Sequence, residues 1–433
     1  MNSYDKVIDL LRSEHIFLTG GAGVGKSYLT KKVVDYYKAE CLNVIVLGST
    51  GISAVNVGGQ TIHSFFVFGI ANNFEELKSR DRYNKSRIKE LSKMLKNLHL
   101  LIIDEISMVS ADLLEMILYR LRSSDFKGKL MVVGDFYQLP PVVKQKSQDS
   151  IFGDAVYAFD SSAWDYFDFV TVELMKVHRT SDEAFMRILN FVRRGELNEE
   201  VFSYLEALRL NDFDTQKATI LYGRNHEADM LNQSKVAQMA TEEFIKTAQI
   251  EIKDKTLDAR RLESWKKTLP VVEDLVLKEG VPVIFTTNRW GFYHNGERAI
   301  IEHIDEDSIV VEKNGRLVKV ERFDFELGRS ALNDEGTIDS EIVCTFSQFP
   351  LRPAYGITIH KSQGMSLDNL VCDVNYIFAD SQFYVALSRA VEPKRLKIAF
   401  SRGEFRAYLQ RVVKVSERVT QFYTNLENLV QVD

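Results

Sequence analysis

The run Gly20-Gly21-Ala22-Gly23-Val24-Gly25-Lys26-Ser27 fits the pattern G-x-x-x-x-G-K-[ST]. Its residue types suit one task, the holding of nucleotide phosphates. Glycines let a backbone curl until its N–H groups point inward at anionic oxygens. Lys26 has the reach for the β- and γ-phosphates, and the Ser27 hydroxyl can sit on Mg²⁺. Further on, an apolar run ends in Asp104-Glu105-Ile106-Ser107. Two carboxylates at that point suit an Asp104 that holds the metal, largely through water, and a Glu105 that accepts a proton from an attacking water. Gln138 lies in Gly134-Asp135-Phe136-Tyr137-Gln138-Leu139-Pro140-Pro141, where an amide could sense the γ-phosphate and orient that water. Alone, an Asp-Glu pair ends many strands and a glutamine fills many loops. The phosphate loop upstream makes them candidates for triphosphate hydrolysis.

Such residues need strands and helices to aim them. Residues 15–20 read as a strand entering the loop, and Leu29, Val33, Val34 and Tyr37 give the following helix an apolar stripe. The positive end of that helix then faces the anion. Residues 44–47, 98–103 and 130–133 read as further strands, and 112–121 as a helix with Leu113, Leu114, Ile117, Leu118 and Leu121 on one face. This alternation predicts a parallel α/β sheet. Residues 70–97 interrupt it with an excess of Lys and Arg, as either a solvated charged helix or a surface facing nucleic acid. The α/β pattern restarts near residue 182, with strands at 217–222, 356–360, 370–374 and 396–400, a helix at 381–389 and a last helix over 404–429. Within it, 236–345 carry a β meander whose Lys313-Asn314-Gly315-Arg316 suits a type I′ hairpin turn.

Composition bounds the rest. At 433 residues, with 45% apolar and 27% charged residues, the chain is of ordinary globular type and long enough for two to four domains. There is no run of roughly 18 apolar residues to span a bilayer and no export signal at the start. Three widely spaced cysteines, Cys41, Cys344 and Cys372, fit neither a disulfide framework nor a metal cluster. A cytoplasmic protein, or one associated with the nucleoid or nucleus, is expected. The net charge of −6 means that any nucleic-acid partner must lie in a local groove.

The resemblance now becomes specific. The phosphate loop, Asp104-Glu-Ile-Ser107 and Gly134-Asp-Phe-Tyr-Gln-Leu-Pro-Pro-Val142 resemble the first half of a superfamily-one helicase of the Pif family. Ser49-Thr-Gly-Ile-Ser-Ala and Gly58-Gly-Gln-Thr-Ile-His-Ser-Phe65 are similar to that family's single-strand-contacting motif. Ile359-His-Lys-Ser-Gln-Gly364 and Phe383-Tyr-Val-Ala-Leu-Ser-Arg-Ala390 resemble its fifth and sixth motifs, and Glu173-Leu-Met-Lys-Val-His-Arg179 the segment with a bridging arginine. The likeness runs in family order from about residue 15 to about residue 400.

It implies an ATP-dependent 5′-to-3′ DNA helicase of two RecA-like parallel-sheet domains, 1–180 and 181–433, with ATP between them and Mg²⁺ as cofactor. A wedge over 68–97 and a small β-barrel over 236–345 would be the insertions. Arg179 and Arg389 would face the triphosphate, Gly364 would approach the γ-phosphate, and Gln363 would couple this to DNA. Thr50, His63, Ser64 and Phe65 would touch a single strand from one side, and Thr358, His360 and Lys361 from the other. Phe65, Phe66 and Phe68 could equally be core. The implied partners are single-stranded DNA and tailed or forked duplex, with G-quadruplexes and RNA–DNA hybrids as further substrates. The implied settings are replication, recombination, repair and telomere maintenance. The protein would be a monomer that can dimerise on DNA. Ser3 stands where the family carries an adenine-reading glutamine, which leaves base selectivity open. Two alternatives remain: a RecD- or relaxase-type motor subunit of a larger complex, and an ATP-gated single-strand-binding protein that no longer turns over.

Overall fold

A computed structural model describes residues 3–49, 53, 60–69, 71, 74–141, 156–254, 256–289, 291–332, 336–426 and 428–433. The chain forms two units, Met1–His178 with Leu327–Val343 and Glu417–Asp433, and Arg179–Glu326 with Cys344–Ser416.

The first unit is built on seven strands in the spatial order Leu429–Val432, Val170–Leu174, Ile16–Thr19, Lys129–Val133, Leu100–Asp104, Val44–Gly48 and Gln60–Thr61. Every recorded pairing in this sheet is parallel. Helices therefore cover its faces, and its central strands Ile16–Thr19 and Leu100–Asp104 are buried along their whole length. Helix Lys26–Ala39 turns Leu29, Val33 and Tyr37 into the core formed with Ile16, Leu18, Val172 and Leu174. Helix Ala111–Ser123 buries Leu113, Leu114, Ile117, Leu118 and Leu121 and is capped by Ser110, whose hydroxyl accepts Leu113 N–H at 3.3 Å. The basic stretch after residue 70 contains two helices, Phe74–Asp81 and Lys85–Lys96. Arg120, 2% exposed, anchors the first of them by a two-pronged bond to Asp81 at 2.6 and 2.7 Å.

The second unit centres on four parallel strands in the order Gly356–Thr358, Thr219–Tyr222, Leu370–Asp373 and Leu396–Ala399. Strands Pro282–Phe285, Arg298–Ile304, Ile309–Lys313, Arg316–Val320 and Leu351–Pro353 make an antiparallel sheet over their own apolar core. Its tightest hairpin pairs Lys313 with Arg316. Asn314 and Gly315 sit at φ 51° and 77°, as a type I′ turn demands.

The end of the chain departs from the sequence reading. In place of one helix over 404–429 there are two, Phe405–Val412 and Glu417–Thr424, followed by strand Leu429–Val432. That strand pairs with Val170–Leu174, and Val430 and Val432 pack on the first unit's core. Residues 417–433 thus belong with the first unit, which corrects the assignment of 181–433 to one domain. Their apolar partners are the aromatic rings and the open sheet edge of the opening segment. Among the described residues, no helix is long and apolar enough to cross a membrane.

Candidate functional site

Strand Ile16–Thr19 delivers the chain into the phosphate loop. Gly20 has φ 141°, and a Cβ there would come within 2.6 Å of Leu174 O, so the close approach requires glycine. Gly25, at φ 90°, turns directly into helix Lys26–Ala39, and no side chain caps that helix. Its positive dipole end thus lies at the loop, where it favours an anion. Lys26 Nζ donates to Gly20 O at 2.8 Å and Gly21 O at 3.0 Å, folding back over the loop's concave side. His178 N–H donates to Gly23 O at 2.8 Å and pins the loop from outside. Ala22, Val24 and Ser27 occupy the same short turn and helix start.

Asp104 ends the buried central strand, and its Oδ1 accepts Glu105 N–H at 3.0 Å. Burial raises its pKa well above the carboxylate range, the neighbouring Glu105 charge adds to this, and Lys26 opposes it. Glu105 has φ 56° and ψ 51°, a left-handed conformation that costs a residue with a Cβ roughly 1–2 kcal/mol. Strain of this kind collects at functional positions. The donor set fits Mg²⁺: Ser27 and Asp104 offer only oxygen, and a divalent cation would relieve the penalty on the buried carboxylate.

Gln138 lies in a turn organised by fully buried Asp135, which accepts Tyr137 N–H at 3.1 Å and the Gln138 amide at 3.4 Å. One participant escapes sequence reasoning. The Tyr423 hydroxyl, from helix Glu417–Thr424, accepts Phe136 N–H at 3.1 Å, pairs with Thr19 Oγ1 at 3.0 Å and approaches Asp135 Oδ1 at 3.5 Å. Its ring stacks on Tyr137 at 4.6 Å. It therefore ties the strand before the phosphate loop to the turn that carries Gln138. An aromatic in an amphipathic helix reads as core, so no local signal marks it.

In the second unit, Arg179 and Arg389 converge on Ser388. Arg179 donates to Ser388 O at 2.7 Å and Ser366 Oγ at 3.0 Å. Arg389, 2% exposed, donates to Ser388 Oγ at 2.8 Å, Val385 O at 3.0 Å and Ser362 O at 3.4 Å. Burial, then the Arg389 charge, lowers the Arg179 pKa to about 9. Two like charges held this way favour a polyanion. Gly364, in the turn that accepts from Arg389, has φ 80°.

The expected strand contacts are placed unevenly. His63 and Ser64 lie on the short helix Ile62–Phe65, whose cap is Thr61. Phe65, Phe66 and Phe68 are 4%, 0% and 0% exposed, with Phe65 edge-on to Phe66 and Phe66 stacked on Phe68. Of the two readings open to Phe65, contact with the strand and core, its ring takes the core position. Thr50 lies outside the described residues. Thr358 is buried too, and its hydroxyl accepts Lys361 N–H at 3.3 Å, so it holds the neighbouring turn. His360 and Lys361 are half-buried, and burial lowers the pKa of both. Arg352 lowers that of Lys361 further, against Asp229.

The chain is similar to known proteins over most of its length. A family model described as PIF1-like helicase matches residues 2–202. The ATP-dependent DNA helicase Pif1 of Campylobacter jejuni is 39% identical, over 97% of this chain and 96% of that protein. The crystal structure of Bacteroides sp Pif1 in complex with ADP-AlF4 is similar with a TM-score of 0.82 and 27% identity, over 98% of this chain and 96% of that one. The structure of Bacteroides Pif1 bound to single-stranded DNA is similar with a TM-score of 0.66 and 27% identity, over 97% and 95% of the two chains. This chain belongs to the PIF1-like helicase family, with the two RecA-like domains of its solved members.

Proposed function

We propose that this chain is an ATP-dependent DNA helicase that moves 5′ to 3′ along a single strand and opens the duplex ahead of it. Helicase activity accords with the family and with relatives named as ATP-dependent DNA helicases; the direction and residue roles are our reading. Lys26 and the loop glycines would hold the β- and γ-phosphates. Ser27 and Asp104 would hold Mg²⁺, which when bound neutralises phosphate charge. Glu105 would take the proton of the attacking water, and Gln138 would orient that water. Arg179 and Arg389 would offset transition-state charge, a contribution on the order of 10³–10⁵ in rate for an arginine acting this way. His63, Ser64, His360 and Lys361 would meet the strand.

One observation carries the motor reading. Arg389 donates to Ser362 O, and Ser362 N–H donates to Thr358 O at 3.0 Å in the turn that bears His360 and Lys361. A group that answers to phosphate is thus bonded to the segment that would answer to DNA, as conversion of hydrolysis into movement requires. Unwinding of duplexes with a 5′ or a 3′ tail, alongside DNA-stimulated ATPase, tests it. The expected result is stimulated hydrolysis and unwinding from the 5′ tail, both lost in Lys26→Ala. Unwinding from the 3′ tail alone would overturn the direction, and an ATPase indifferent to DNA would overturn the motor.

A further inference from the structure

Strand Pro282–Phe285 of the antiparallel sheet passes to strand Arg298–Ile304 through a loop closed by Gly296. Bonds across the loop stiffen it. Gly296 N–H donates to Phe285 O at 2.9 Å, Phe285 N–H to Glu297 O at 3.0 Å, and Asn295 N–H to Asn288 Oδ1 at 2.7 Å. The Tyr293 ring, 3% exposed, stacks on Phe285 at 3.9 Å. Gly296 itself has φ 90°, and a Cβ there would lie 2.9 Å from Met365 Cβ and 3.2 Å from Ser366 O. An approach this close, at this φ, is open to glycine. The loop is thus seated on segment 362–367, which is also where the two arginines are held. Ser362 O accepts from Arg389 at 3.4 Å, Ser366 Oγ accepts from Arg179 at 3.0 Å, and Leu367 N–H donates to Arg389 O at 2.9 Å. Met365 is 5% exposed, and its N–H donates to Ser362 O at 2.9 Å.

Close-packed groups have little room to yield. A stiff loop pressed on Met365 and Ser366 therefore fixes where Ser366 Oγ stands, and with it the bond from Arg179. Charge aimed at a transition state is effective when it is held in place beforehand. We propose that Gly296 is a positioning residue for ATP hydrolysis: its bare Cα lets the antiparallel sheet buttress Met365 and Ser366, and so keeps Arg179 in line for phosphate. Gly296 acts through Arg179 and not on the nucleotide. This rests on the reading that Arg179 faces the triphosphate.

The test is steady-state ATPase with saturating single-stranded DNA for Gly296→Ala, Arg179→Ala and the double variant. A misplacement of about 1 Å can cost on the order of 10²-fold in rate, and relief of this clash needs a fraction of that shift, so Gly296→Ala should lower kcat roughly tenfold. KM for ATP should hold, because Lys26 and the phosphate loop bind the ground state. In the Arg179→Ala background the same substitution should cost less than about twofold, since the group it positions is gone. Gly291→Ala controls for backbone strain: Gly291 lies in the same loop at φ 78° with nothing within 4 Å of a Cβ, and this variant should keep the parent kcat. Met365→Ala disturbs the seat from the opposite side without straining the loop. It should lower kcat with the same dependence on Arg179, which keeps the test decisive if Gly296→Ala does not fold. A kcat within about twofold of the parent in the folded variants, an equal loss in Gly291→Ala, or an undiminished loss in the Arg179→Ala background would each overturn the proposal. If Arg179→Ala alone stays within about twofold of the parent, the underlying reading of that arginine fails, and Gly296 has nothing to position.

Discussion

Tyr423→Phe removes one oxygen and tests whether the chain's last helix serves the hydrolytic site or merely covers it. The ring would remain stacked on Tyr137, so packing is kept. What goes is the acceptor for Phe136 N–H at 3.1 Å and the partner of Thr19 Oγ1 at 3.0 Å. Phe136 is 1% exposed, and leaving a buried donor unmatched costs roughly 1–3 kcal/mol. Denaturant unfolding should register that loss as a lower midpoint with unchanged slope. Kinetics should register more. Phe136 sits between Asp135 and Tyr137 in the turn that holds Gln138, so loosening its backbone loosens the amide. If even half of the penalty appears as misplacement of Gln138, kcat for ATP falls roughly twofold to thirteenfold. KM should change little, because the loop around Lys26 keeps its own bonds to Gly20 and Gly21. Steady-state ATPase with saturating single-stranded DNA reads both constants. A variant that is less stable yet retains the parent kcat would refute the link and reduce Tyr423 to a packing residue.

Other perturbations follow from the same geometry. Arg389→Lys should lower kcat on the order of 10³-fold, because the guanidinium fork reaches Val385 O, Ser362 O and Ser388 Oγ at once and a single ammonium cannot; ATPase within tenfold of the parent would exclude Arg389 from the reaction. Asp81→Ala leaves the 2%-exposed Arg120 without its carboxylate and should cost about 3–5 kcal/mol in denaturant unfolding, whereas a loss below about 1 kcal/mol would mean that the helix Phe74–Asp81 is not anchored there. His15 is held at a pKa of about 4 by burial and then by the Lys129 charge, with its Nδ1 accepting Leu130 N–H at 2.8 Å. Its neutral form therefore supports the fold above the unfolded value near 6.5, and that support is lost as pH falls towards 4. With partial exposure discounted this amounts to roughly 1–2 kcal/mol, so the stability gap between the parent and His15→Asn should shrink from pH 7 to pH 4.5, and a constant gap would contradict it.

What the sequence discloses and what it hides divide along the range of the forces involved. The phosphate loop, the strand ending in Asp104 and the Asn314-Gly315 turn are legible because each is fixed by neighbours in the chain: φ values open to glycine, an unbroken apolar run, two residues at positive φ. The family motifs then carry Arg179 and Arg389, yet nothing local says that both bond to Ser388 and repel one another. Phe65 shows the converse. A four-residue helix has no periodicity with which to sort faces, so a motif that suggests contact with DNA cannot tell that burial claims the ring. Strand Leu429–Val432 is four residues long, and its place depends on Val170–Leu174 at the open edge of a distant sheet. The separation of 404 positions from Thr19 to Tyr423 makes their hydrogen bond invisible to any window. The proposed hydrolytic residues can be named from the chain, but the surroundings of each depend on partners that only folding supplies. The phosphate loop could persist while the terminal helix varied in sequence, and the turnover it supports would then vary with the presence of a hydroxyl at position 423.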